Sequence, residues 1–321
     1  MAALENAKYC IATSSGMAAF SLIIHLVKSG EHVIANEDLY GGTTNYLIEL
    51  VKEAGVMVTP MDLRDLKAIE GAIKPNTRMI IAESPTNPTL KILDLPALSK
   101  LCKAKNLTMV VDNTFMSPAL QNPLDLGVDI VMHSCTKYIG GHSDIIMGAV
   151  LTSNDELYKR LKKTSHLLGA CPGPQDCFLA SRGLKTLQLR VEKAEENAGK
   201  LAQILCKHPK VVETLYPGLP THPGHDLLKS QARGFSSMIT IKLKNAEQVA
   251  KFYTSLSLFG HAVSLGGVES LVSIPAKITH KSLPAELKTK LGITDTMIRI
   301  SVGIESYEDL KDDLLHALDQ I

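Results

Sequence analysis

The chain has 321 residues, 45% of them hydrophobic and 21% charged, with a formal net charge of +1. That length suits a substantial core and two unequal domains, the composition excludes a disordered or fibrous chain, and the near-neutral balance argues against a nucleic-acid or membrane-surface partner. No apolar run reaches the length of a membrane span, no secretory leader pattern opens the chain, and the cysteines are scattered without a CxxC pair, so the expectation is a cytoplasmic protein with reduced thiols.

In chain order, the first half alternates short apolar runs with longer amphipathic ones. His32–Ala35, Val56–Thr59, Met79–Ala82, Met109–Asp112 and Ile130–His133 read as buried strands. Between them, Met17–Lys28, Thr43–Glu53, Leu63–Ile73 and Leu95–Lys105 carry apolar residues at helical spacing; Ser14 or Ser15 is expected to cap the first of these and Gly30 to stop it. This predicts a mostly parallel sheet with helices on both faces. The pattern fades near Gly169–Pro174, and one long helix is expected from Gly183 to Lys207, with Arg190 among the charges on its polar side. Beyond it, Ser237–Leu243 and Met297–Val302 read as half-buried strands and Ala246–Ser255 and Tyr307–Leu318 as helices, which suggests a smaller α+β domain. The domains are expected over 1–187 and 188–321.

The residues that carry chemistry sit after the predicted strands. Lys137 follows Ser134, Cys135 and Thr136 and precedes Gly140 and Gly141. A lysine amine can form a Schiff base with an aldehyde, and hydroxyls can hold a phosphate. Asp112 closes an apolar run, the edge where open α/β sheets bind ligands, and could keep a pyridine nitrogen protonated. Ser15, Gly16 and Met17 open a helix whose amides suit a phosphate. Tyr40 follows another strand and could stack on a ring or relay protons; Asn87, in a polar proline loop, could donate to a phenolic oxygen. Arg299, inside an apolar strand, needs an anion, and a substrate carboxylate would serve. Each has a structural alternative: a surface lysine, a turn aspartate, a commonplace serine cap, a packed tyrosine, a plain turn, an internal ion pair. No GxGxxG follows a strand, so a nicotinamide enzyme is disfavoured.

Together, SSGMAA, DLYGG, ESPTNPT, VVDNTFMSP, HSCTKYIGGHSD, RGLKTL, YPGLPTHPGH, SLGGVESL and IRISVGIE resemble the γ-family of fold-type I pyridoxal-phosphate enzymes, which handles cystathionine, methionine and homoserine derivatives. The likeness is in the family's order from about Ala3 to Leu318, and DNTFMSP and YPGLP point most to its cystathionine γ-lyases. It implies a fold-type I α/β architecture, pyridoxal 5′-phosphate as cofactor and a homotetramer built as a dimer of dimers. By position, it makes Lys137 the Schiff-base lysine, Asp112 the partner of the pyridine nitrogen, and Gly16, Met17, Ser134 and Thr136 the phosphate ligands. Tyr40 becomes the stacking tyrosine, Asn87 and Ser264 contact substrate and cofactor, and Arg299 clamps the substrate carboxylate.

Three departures stand out. The family's N-terminal arm, with its Tyr-x-Arg pair, has no counterpart before Met1, which raises the alternative of a truncated, non-catalytic subunit. Asn45 stands where cystathionine enzymes usually carry arginine, and Val263 where they usually carry glutamate. Both would face the distal end of the substrate, and valine there resembles methionine γ-lyases; cystathionine β-lyase is the other close alternative.

Overall fold

A computed structural model of the chain describes residues 1–278, 281 and 285–321. Seven strands form the first sheet: β1 (Tyr9–Thr13), β2 (His32–Asn36), β3 (Met57–Met61), β4 (Thr77–Glu83), β5 (Thr108–Asp112), β6 (Ile130–Ser134) and β7 (Gly148–Thr152). Their spatial order is β1-β7-β6-β5-β4-β2-β3. Only β7 runs against its neighbours, and the five expected strands pair in parallel.

Alternate residues of each strand feed two separate cores. Val33, Ala35, Met79, Ile81, Val110, Ile130 and Met132 pack with the helix Gly16–Ile24. Ile34, Ile80, Ala82, Met109, Val111 and Val131 pack with the helix Leu95–Ala104 on the other face. A sheet covered on both faces explains why its strands read as continuous apolar runs rather than alternating ones. The parity has a chemical result. Glu83, Asp112 and Ser134 end β4, β5 and β6 on the face of the helix Gly16–Ile24, at the strands' carboxyl edge.

That helix is capped as expected by Ser15, whose Oγ accepts from Ala18 N at 3.0 Å. It stops at Ile24, before Gly30, which instead occupies a turn at φ 81°. The single long helix expected over 183–207 is two helices, Pro174–Leu184 and Leu187–Leu205. Gly183 lies against the Gly140 loop so closely that a Cβ would meet the Ile139 carbonyl oxygen at 2.4 Å. Its own carbonyl turns away to accept from Arg190 Nη2 at 2.8 Å. Arg190 is therefore not on a solvated face: it is buried and also donates to the Tyr138 carbonyl at 2.7 Å.

The second sheet has the order β10-β11-β12-β9-β8, with β8 (Glu213–Leu215), β9 (Met238–Lys242), β10 (Gly260–His261), β11 (Leu271–Ser273) and β12 (Met297–Ser301). The helices Leu187–Leu205, Ala246–Ser255 and Tyr307–Asp319 cover one face around Ile239, Ile241, Ile298 and Ile300. The expectation of half-buried strands fails here. Every residue of β12 is buried, because the other face rests on the first sheet's loops: Thr240 Oγ1 donates to the Pro88 carbonyl at 2.8 Å and Arg299 Nη1 to Asn87 Oδ1 at 3.1 Å. Among the described residues no helix is long and apolar enough to cross a membrane.

Candidate active site

A cavity of about 450 Å³ opens at the carboxyl edge of the first sheet, under β12 of the second. Gly16, Met17, Tyr40, Asn87, Asp112, Ser134, Thr136, Lys137, Ser264 and Arg299 all line it, so the structure brings these ten residues singled out in the sequence to one place.

The floor is built by strand ends. Asp112 closes β5, and its Oδ1 accepts from Thr114 N at 2.9 Å. Burial pushes its carboxyl above the usual aspartate range, opposed by the Thr114 hydroxyl and amide and by His133. Thr114 Oγ1 in turn accepts from Ser134 N at 2.9 Å, which couples the ends of β5 and β6. Beside them lies the start of the helix Gly16–Ile24, whose first amides have no carbonyl one turn earlier. Gly16 packs tightly there: a Cβ would stand 3.0 Å from Ser134 Cβ and 3.1 Å from its Oγ, so Ser134 would have to give way. The result is a recess lined by amides at Gly16 and Met17 and hydroxyls at Ser134 and Thr136, suited to a phosphate.

Lys137 follows β6 in a turn, its amide bonded to the Ser134 carbonyl at 3.1 Å. Its Nζ donates to Ser264 Oγ at 2.8 Å. Burial, and then the Arg299 charge, lower this amine to a pKa of about 8, so part of it is uncharged and nucleophilic near neutrality. Ser264 holds φ 88°, a left-handed conformation that costs a non-glycine residue energy and persists only when its surroundings impose it. Here both ends are held: the hydroxyl by Lys137, the carbonyl by Arg299 Nη2 at 2.8 Å.

Arg299 is 3% exposed and faces no carboxylate in an ion pair among the described residues. Among the described residues its Nε has no hydrogen-bond partner, and burial lowers its pKa to about 10. A buried guanidinium with an unused donor is prepared for an anion from outside the chain. Tyr40 stands at the opening, 46% exposed.

Residues that sequence reasoning left without a role also line the cavity: Glu83, Thr114, Phe115, Met132, Ile146 and Ile278. Glu83 was accessible from strand parity, since it shares a face with Met79 and Ile81. Ile146 and Ile278 lie in loops, where no period marks a facing side chain. Asn45 is in the helix Gly41–Tyr46 and is not among the lining residues, whereas Val263 is, 54% exposed at the mouth.

An amine, an apposed carboxylate, a phosphate recess and a lone guanidinium fit pyridoxal 5′-phosphate together with an amino-acid substrate. Comparison with known proteins agrees. The chain is 49% identical over 321 residues to the cystathionine gamma-lyase of Dictyostelium discoideum, covering 100% of this chain and 83% of that one. It is 46% identical over 321 residues to the cystathionine beta-lyase MetC of Bacillus subtilis (strain 168), covering 100% and 82%. The crystal structure of cystathionine gamma-lyase from Lactobacillus plantarum complexed with L-serine superposes with a TM-score of 0.97 at 41% identity, over 100% of this chain and 84% of that one. Residues 1–319 match the Cys/Met metabolism PLP-dependent enzyme family. The chain belongs to that family: it is a fold-type I enzyme with pyridoxal 5′-phosphate as its cofactor.

Proposed function

We propose that the chain is a carbon–sulfur lyase of the cystathionine γ-lyase kind, converting L-cystathionine to cysteine, 2-oxobutanoate and ammonia. The observation that carries this is the convergence of Lys137, Asp112 and Arg299 on one cavity beside the Gly16–Ser134 recess; curated relatives named cystathionine gamma-lyase at 46–49% identity support the choice of reaction. Pyridoxal 5′-phosphate, when bound, supplies an electron sink for charge that develops beside a substrate amine.

The chain's residues divide the remaining work. Gly16 and Met17 amides and the Ser134 and Thr136 hydroxyls hold the phosphate. Lys137 anchors the cofactor aldehyde, and its Nζ takes the proton from the substrate α-carbon, a role suited to an amine of pKa about 8. Asp112 keeps the ring nitrogen protonated. Asn87 and Ser264 position cofactor and substrate, Arg299 clamps the α-carboxylate with its free Nε, and Tyr40 stacks on the ring and delivers a proton to the departing sulfur. Assembly as a homotetramer is part of the same proposal, supported by exposed apolar side chains such as Phe178 at 64% and Leu189 at 69%.

A second reading, methionine γ-lyase, is favoured by the mouth, where Val263, Ile146 and Ile278 are apolar and exposed. One assay separates the choices. Purified protein given L-cystathionine and L-methionine separately is expected to form 2-oxobutanoate from cystathionine. Pyruvate from cystathionine means β-cleavage; 2-oxobutanoate from methionine alone means the second reading.

A further inference from the structure

Glu83 has no place in the division of work above, yet it occupies the floor. It closes β4 in register with Asp112 on β5, and both carboxyls face the cavity. It is 5% exposed and makes no ion pair among the described residues. Its Oε2 accepts from Tyr40 N at 3.2 Å, and the Asn87 backbone amide acts on the same carboxyl, favouring its charged form. Those amides belong to two different loops, one following β2 and one following β4 itself, and each loop delivers a side chain to the cavity.

We propose that Glu83 is a positioning residue of this site, its carboxyl tying the Tyr40 segment to the Asn87 segment while leaving Asp112 as the anion at that end of the cavity. Two buried carboxyls in register on adjacent strands disfavour each other's ionisation. The groups facing Glu83 decide which one keeps the proton. Asp112 from β5 and Asp38 from the segment after β2 are both acids that repel a charge on Glu83. Arg299 from β12 and Lys137 after β6 are cations that line the same cavity. Burial, reinforced by Asp112, raises Glu83 well above the ordinary glutamate value. Asp112 has what Glu83 lacks: the Thr114 hydroxyl and amide, and His133 on the next strand. The pair releases its protons in two steps, and the geometry gives the first to Asp112.

A neutral Glu83 still accepts the two amides and orders both loops without adding a second negative charge beside the ring nitrogen. The inference rests on the proposed function for what Tyr40 and Asn87 hold, whereas the protonation of Glu83 is a property of the chain alone.

The test compares the parent chain with Glu83→Gln and Glu83→Ala, with and without pyridoxal 5′-phosphate. Urea unfolding from about pH 5 to about pH 8 reads the proton. Because the folded pKa of Glu83 lies above its unfolded value, its stabilising contribution is full below the unfolded value and is lost as the pH rises. Glutamine cannot ionise, so the parent loses more stability than Glu83→Gln across that range. Cofactor titration reads the brace. Glu83→Ala strands both amides and weakens binding by about tenfold, and Glu83→Gln, which keeps an acceptor oxygen, binds at least about threefold tighter than Glu83→Ala. Parallel stability curves for parent and Glu83→Gln would overturn the assignment of the proton, and equal affinities for the parent and both variants would overturn the brace. If Glu83→Ala does not fold, Glu83→Gln against the parent still decides the proton, and Glu83→Met, which fills the space without an oxygen acceptor, takes the place of Glu83→Ala in the cofactor titration. A parent chain that binds no cofactor sinks the proposed function, and the unfolding curves still decide the proton on Glu83.

Discussion

The floor and the mouth of the cavity are built differently, and the difference separates what this site must do from what it selects. On the floor, Asp112, Ser134 and Thr114 are joined by hydrogen bonds from backbone amides to side-chain oxygens at the ends of neighbouring strands, with the Gly16 helix start pressed against them. Each position is fixed by sheet register, so its side chain cannot drift. At the mouth, Tyr40, Val263, Ile146 and Ile278 project from loops and helix starts and are between 39% and 66% exposed. Nothing in the sheet dictates what stands there. On the proposed function, the floor would hold the cofactor and the mouth is where substrates would be told apart.

The largest expected effect comes from the floor. Lys137→Ala removes the proposed anchor and proton acceptor, and activity should fall on the order of a thousandfold or more in a steady-state assay. Equal activity in that variant would place the chemistry elsewhere. Next comes the roof of the cavity. Arg299→Ala leaves a substrate carboxylate without its partner and should lower kcat/KM by roughly 30- to 1,000-fold. It also removes a cation beside Lys137, so the amine's titration, about 8 in the parent, moves upward. A fixed amine pKa in that variant would mean the two groups do not feel one another.

The mouth should respond more mildly. Val263→Glu puts a carboxylate where the distal ammonium of cystathionine would lie, in a solvated setting where such pairs are weak. The ratio of cystathionine to methionine turnover should rise about two- to fivefold, with little change in the cofactor absorbance. A large loss of bound cofactor would show that floor and mouth are not independent. The smallest effect belongs to the helix that opens the phosphate recess: Ser15→Ala removes its cap and should cost about 1 kcal/mol in denaturant unfolding.

The same contrast governs how much was legible in the sequence. Strand ends announce themselves, because a buried strand is a short apolar run and the polar residue that closes it is conspicuous; Asp112 closes β5 in this way, and Ser134 closes β6 three residues before Lys137. Parity extends the method to Glu83, which falls on the face of Met79 and Ile81 and so lies beside Asp112. Long-range packing left no such mark. The break at Lys185–Thr186 depends on Gly183 meeting the Gly140 loop, and the burial of Arg190 depends on carbonyls distant in sequence. β12 looked half-buried because its second face is covered by a loop from the other sheet, carrying Asn87 and Pro88. β7, one short run between polar loops, has no period to declare its reversed direction.

The central claim is that Lys137 carries the cofactor. Borohydride reduction of the cofactor-loaded chain followed by peptide mapping tests it most directly. The account predicts a pyridoxyl group on the peptide containing Lys137; the group on any other lysine, or on none, contradicts it.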